Sequence, residues 1–213
     1  KAAIEARTDY SGIIEAIYSL LHRAVDLGLP SGTLWATCNV GATSETEYGS
    51  YFAWGETTPK DSYAWVTYKW GIYNESADPD YGFTKYNSTD GLETLKPEDD
   101  AATVNWGSNW RTPTWDEFNE LLDREKCDWE WTAKKDVKGN DVNGYTVTSK
   151  INGNSIFLPA AGGFPSFHDG TYWSSTNYDI RYGIVISFDS DGKSDIYISW
   201  RYGGYPIRPV LNK

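Results

Sequence analysis

Residues 184–200 read IVISFDSDGKSDIYISW. Apolar and polar side chains alternate on both sides of Asp191-Gly192, the pattern of two antiparallel strands joined by a tight turn. Successive strand side chains point to opposite faces. The alternation therefore assigns Ile184, Ile186, Phe188, Ile196, Ile198 and Trp200 to a buried, supporting face. It assigns Val185, Ser187, Asp195, Tyr197 and Ser199 to an outward face. The loop Asn177-Tyr178-Asp179-Ile180-Arg181-Tyr182 and the later pair Tyr202-Gly203 are expected to flank that face. Tyr anchors, small polar residues and one Arg make the composition of a binding surface. Two segments with the look of framework enclose it, YWSST at 172–176 and IRPVL at 207–211.

Working outward, 213 residues suffice for one large domain with a sizeable core. Aromatics reach 16%, with 11 Trp and 16 Tyr, which points to strands and structured loops rather than long helices. The formal net charge of −11 argues against nucleic acid or an anionic membrane as partner, because either would be repelled. The most apolar stretch, 13–21, is short and interrupted by Glu15, so direct membrane insertion is not expected. The chain holds no Met, and a signal or anchor removed before Lys1 is compatible with that.

Apolar residues Ile13, Ile14, Ile17, Leu20, Leu21, Ala24 and Val25 recur at helical spacing behind a Ser11 cap. Residues 1–25 are therefore expected to form an amphipathic extension, with 11–25 also offering a stripe for self-association. Residues 26–213 form the main domain. A strand is expected over 34–40, and 47–54 reads as a short helix or an aromatic turn. Residues 57–110 show little periodicity but many aromatics, as in an insertion with its own packing. Thr114 with Glu117 fits a capping box, and Phe118, Leu121 and Leu122 supply the stripe of a helix to about Glu125. Strands follow at 129–135, 145–148 and 155–159, separated by a polar turn over 136–144 and a tight one at Asn152-Gly153-Asn154.

No catalytic constellation competes with the C-terminal surface. Cys38 and Cys127 permit either one disulfide or two buried thiols. His22 and His168 read as structural or solvated. The 189–195 stretch alternates carboxylates around Gly192, yet it is too short for a calcium loop and lacks the closing Glu, so a hairpin turn is the stronger reading. Acidic pairs such as Asp128 and Glu130 are not singled out as a glycosidase pair. The expectation is a binding protein, not an enzyme, with no metal and no cofactor.

Six segments recur in a fixed order: LPSGTLWATCNVGA (29–42), YGSYFAWGE (48–56), WRTPTWDEFNELL (110–122), NGNSIFLPAAGG (152–163), YWSST (172–176) and IRPVL (207–211). Together they resemble a family of Bacteroidetes surface proteins, the Fibrobacter succinogenes major paralogous domain. The resemblance implies an α+β, C-type-lectin-like fold: two main helices, a small mostly antiparallel twisted sheet and long aromatic-rich loops. Some members look like variable proteins of diversity-generating retroelements, in which adenine-directed mutagenesis rewrites codons near the C-terminus. Residues changed in that way exclude Lys, Glu, Gln, Met and Trp. Between Asn177 and Gly203 only Lys193 and Trp200 break that rule. The resemblance thus implies a ligand-binding display protein at a cell surface or on a phage particle, with a variable region at about 172–206. Its partner would be a protein or glycan held by the C-terminal surface. The alternatives are a non-diversified adhesin or carbohydrate-binding module, or a structural surface or pilus-associated module. The sugar-binding calcium motifs of true C-type lectins are absent, so a lectin fold does not itself imply sugar binding.

Overall fold

The computed structural model describes residues 22–72, 82–163 and 169–211. Strand β1 (Ala24–Asp26) and strand β2 (Leu34–Ala36) come first among the described residues. A long irregular stretch then leads to helix α1 (Ala101–Trp106), strand β3 (Trp110–Arg111) and helix α2 (Trp115–Leu122). Strands β4 (Cys127–Lys135), β5 (Asp141–Ser149) and β6 (Ser155–Pro159) follow as one antiparallel sheet. Strands β7 (Gly170–Asn177), β8 (Tyr182–Phe188) and β9 (Ser194–Trp200) form a second, with β8 in the centre. Strand β10 (Val210–Leu211) returns to the start of the chain, pairing with β2 on one side and β3 on the other.

The expected α+β class with two main helices is overturned. Among the described residues strand accounts for 35% and helix for 11%, and the two α-helices there hold only six and eight residues. One of the two helices expected from the sequence falls mainly on residues 1–21, outside the described residues. Where its end was expected, Ala24 and Val25 lie in β1 and pair with Ala36 and Trp35. Their spacing fits a helix, but pairing with β2 gives their backbone groups the partners a helix would otherwise provide. The other helix is found, and its capping box is complete. Thr114 Oγ1 accepts from the Glu117 N–H, and the Glu117 carboxylate accepts from the Thr114 N–H at 2.8 Å. It stops at Leu122 rather than Glu125, because Asp123 turns extended and its Oδ1 accepts from the Glu125 N–H. Helix α1 was not expected. Its signal was Asp100, whose side chain caps the N–H groups of Ala102 and Thr103.

Strands 129–135, 145–148 and 155–159 all lie within β4, β5 and β6. The polar turn narrows to 136–140, since β5 begins at Asp141. The strand expected over 34–40 is only three residues long, because Cys38, Asn39 and Val40 leave the sheet in a turn. Residues 47–54 form no helix; Phe52 bridges Tyr205 instead.

Two large apolar clusters meet at the β7–β8 pair. Trp35, Phe118, Leu121, Tyr145, Leu158, Tyr172, Ile186 and Phe188 belong to the first. Phe52, Trp54, Tyr86, Trp106, Trp110, Trp173 and Val185 belong to the second. Adjacent residues point to opposite faces, so Tyr172 and Trp173 serve different clusters, as do Ile186 and Val185. A sheet covered on both faces needs apolar residues in succession. The aromatic-rich insertion carries its own small cluster of Ala53, Tyr68 and Phe83, bordered by Tyr63, Trp65, Trp70 and Tyr202.

Candidate functional site: the C-terminal surface

Asn177, at the end of β7, is tied down by its neighbours. Its N–H donates to the Glu93 carbonyl at 2.9 Å and its Nδ2 to the Leu92 carbonyl at 3.1 Å. The following loop is closed by Asp179, whose Oδ1 accepts from the N–H groups of Arg181 at 2.7 Å and Tyr182 at 2.9 Å. Arg181 also lies 3.8 Å from the other Asp179 oxygen. The loop is thereby ordered, while Tyr178 stays 62% exposed and Ile180 37%.

The loop is also gripped from below by Arg201. This guanidinium is fully buried and donates to the carbonyls of Ile180, Lys85 and Tyr86 and to the Tyr68 hydroxyl. Tyr182 and Tyr202 pack on Trp200, with ring centroids 4.5 and 5.6 Å away, so these tyrosines are half-buried parts of a stack. Ser187 pairs with the Thr171 hydroxyl at 3.2 Å, and Ser199 with the Tyr205 hydroxyl at 2.9 Å. Gly203 donates its N–H to the Trp200 carbonyl, and a Cβ there would meet the Tyr205 ring at 2.9 Å. Asp195 is exposed, and Tyr197 is 51% exposed.

Two expectations about facing are corrected. Val185 was expected outward but is only 2% exposed, enclosed with Trp173 and Trp54 in the second cluster. The reason is its place on a central strand covered on both faces. Ile198 was expected as support but is 47% exposed. It lies on the edge strand, beyond the reach of the first cluster that covers Ile196.

Beside Ile198 opens a groove of about 670 Å³. Ile184, Ile196 and Ile198 line it from the sheet, and Tyr197 borders it. Thr176, Asn177 and Tyr178 border it from the end of β7 and the loop. Trp115, at the start of α2, and Glu93 complete it. Of the sequence-derived site residues, the groove therefore gathers Asn177, Tyr178 and Tyr197. Asp179, Ile180, Arg181 and Tyr182 stay on the neighbouring loop, while Ser187, Asp195, Ser199, Tyr202 and Gly203 lie elsewhere on the sheet or its end. Trp115, Glu93, Thr176 and the three isoleucines were missed as lining. Trp115 is on the edge of the stripe set by Phe118, Leu121 and Leu122, where it reads as more core. Nothing in that spacing says that the helix start stands beside β9.

Among the described residues, no group of three or more His, Cys, Asp or Glu side chains is placed to hold a metal. Asp189 instead closes the β8–β9 turn, its Oδ1 accepting from the N–H groups of Asp191 and Lys193. Cys38 and Cys127 are both buried free thiols, each in a different cluster. Burial pushes the Cys127 thiol up to about 11, so it is protonated near neutral pH. His22 stacks on Trp106 at 3.6 Å, and burial lowers its pKa. His168 lies outside the described residues. No helix among the described residues is long and apolar enough to cross a membrane.

Comparison with protein-family models, curated proteins and solved structures found no match.

Proposed function

We propose that the protein is a ligand-binding display protein whose C-terminal strands and loops present the contact surface. One observation carries this reading. Of the ten large hydrophobic side chains exposed among the described residues, four border a single groove: Trp115, Tyr178, Tyr197 and Ile198. Scattered apolar side chains are normal on a soluble protein, but a cluster around a concavity marks a contact site. The surface is also held in place before any ligand arrives, by Asp179, by Arg201 and by the Tyr182–Trp200–Tyr202 stack. Ordering a loop in advance lowers the entropy cost of binding.

The resemblance to retroelement-variable proteins refines the proposal. Tyr178, Ile180, Tyr197 and Ile198 are all residues that adenine-directed mutagenesis can produce. Trp115 and Glu93 precede the expected variable stretch, so the groove would combine a constant wall with a changeable one. Display at a cell surface or on a phage particle goes with this reading.

Two measurements test it. A reverse-transcriptase gene and a near-copy of the codons for 172–206 are expected beside this gene; absence of both removes the diversification part. A ligand selected on the intact chain should lose about tenfold or more in affinity with Tyr178→Ala or Trp115→Ala, with melting temperature nearly unchanged. Binding that ignores both substitutions overturns the placement of the surface.

A further inference from the structure

We infer that the groove takes a peptide segment of a partner protein in which a bulky apolar side chain stands next to a Lys or Arg. The inference rests on the binding reading above and adds the chemical class of the ligand. The floor is aliphatic, from Ile184, Ile196 and Ile198, and aromatic walls stand at Trp115 and Tyr178. Such a lining gains most by removing apolar groups from water. At about 670 Å³ the groove has room for a side chain with flanking backbone.

The polar lining is sparse, and two of its side chains are engaged already. Thr176 Oγ1 accepts from the Trp115 N–H at 3.2 Å, and Asn177 Nδ2 donates to the Leu92 carbonyl. A sugar brings many hydroxyls that need partners, and each one buried without a partner opposes binding. That disfavours a glycan here.

Charge selects the second feature of the ligand. Glu93 is exposed on the groove wall, and no Lys or Arg among the described residues pairs with it. Among the described residues it is the one charged residue in the lining, and Asp116 follows Trp115 directly on α2. With a net charge of −11 over the chain, a cation beside the apolar anchor is attracted and a carboxylate is repelled.

The test uses the full chain against an array of acetylated, amidated hexapeptides in a Gly/Ser frame. Each carries a Trp or Leu beside Arg, Lys, Gln or Glu, and affinities are read by fluorescence polarisation. The basic peptides should bind about two- to fivefold tighter than the Gln peptides, with the Glu peptides weakest. Glu93→Gln should remove most of the basic peptides' advantage and leave the Gln peptides unchanged. Trp115→Ala should weaken every binding peptide by about tenfold or more. High salt should erase the basic advantage. Equal binding of basic and neutral peptides, no response to Glu93→Gln, or no peptide bound at all overturns the inference. A parallel glycan array separates it from the reading beneath. A glycan that binds, and loses binding with Trp115→Ala and Tyr178→Ala, refutes the peptide class while the groove remains the contact surface. Ligands of either kind that ignore both variants refute the surface itself.

Discussion

Arg201 is a buried cation that forms no salt bridge among the described residues, although the Asp90 carboxylate lies near enough to favour its charge, and its surroundings explain how it is tolerated. Three backbone carbonyls and the Tyr68 hydroxyl take its N–H groups, and the rings of Trp54 and Phe83 lie 4.8 and 4.7 Å from its centre. Burial lowers its pKa, but an Arg starts so high that it stays charged. Arg201→Met should cost about 3 kcal/mol by leaving these acceptors buried and unpaired, read from the denaturant midpoint. Arg201→Lys should recover only part of it, because an ammonium cannot span the same fork. A neutral effect of Arg201→Met would remove its role as the grip on the Ile180 loop.

Glu117 supplies the pH dependence at the same scale. Burial raises its pKa, but hydrogen bonds from Arg111, Thr33 and the Thr114 backbone outweigh this and hold it below the usual carboxylate value. A depressed pKa in the folded state means that the unfolded chain binds the proton more readily. The stabilisation is therefore complete above the ordinary value near 4.5 and is lost as pH falls through the folded-state value. Asp100, raised by burial, works with the opposite sign, so the comparison must be with a variant. Glu117→Gln should cost about 2–4 kcal/mol at pH 7. It should also flatten the fall in stability between pH 6 and 3, measured by denaturant titration at each pH.

Among the elements, the β8–β9 hairpin separates what pattern shows from what packing adds. Its turn and both strands are readable from alternation around Asp191-Gly192, and the fold contains them. Alternation also divides the side chains correctly into two faces, since Val185 pairs with Tyr197 and Ile184 with Ile198. It does not say which face is covered. On the central strand both are, so Val185→Ala should cost about 2–3 kcal/mol through the space it leaves. Tyr197, half exposed on the edge strand, should change stability by no more than about 0.5 kcal/mol when replaced by Ala. Thermal melts of the two variants side by side decide between this arrangement and a free outward face at Val185. Of the residues proposed for contact, Tyr178, Ile180, Asp195 and Tyr197 are open to solvent, while Tyr182, Ser187, Ser199 and Tyr202 are engaged by neighbours.

Across the whole molecule, the last residues close the first sheet. Val210 sits between Trp35 and Arg111, joining strands separated by some seventy residues in the chain. Arg208 beside it is fully buried and donates to the Asn39 side chain and the Ala36 carbonyl. Ending the chain after Tyr205 should therefore unfold the domain, not merely trim it, because β2 and β3 lose their common partner. Circular dichroism and near-complete hydrogen exchange should report that loss; a folded truncation product would show that the closure is dispensable.

Local rules were enough for this sequence to determine its turns, the capped helix at Thr114 and the hairpin strands. The turns, the cap and the hairpin depend on residues a few positions apart, whereas the long insertion shows only its aromatic content, and its cluster is completed by Ala53 and Tyr202 from outside it. The balance of strand over helix, the burial of Val185, the exposure of Ile198 and the groove under Trp115 were decided only in three dimensions. Burial is a property of what lies opposite a residue, and here the opposing residues come from distant parts of the chain. Trp115 meets β9 across more than eighty residues of sequence, a separation that no periodicity records.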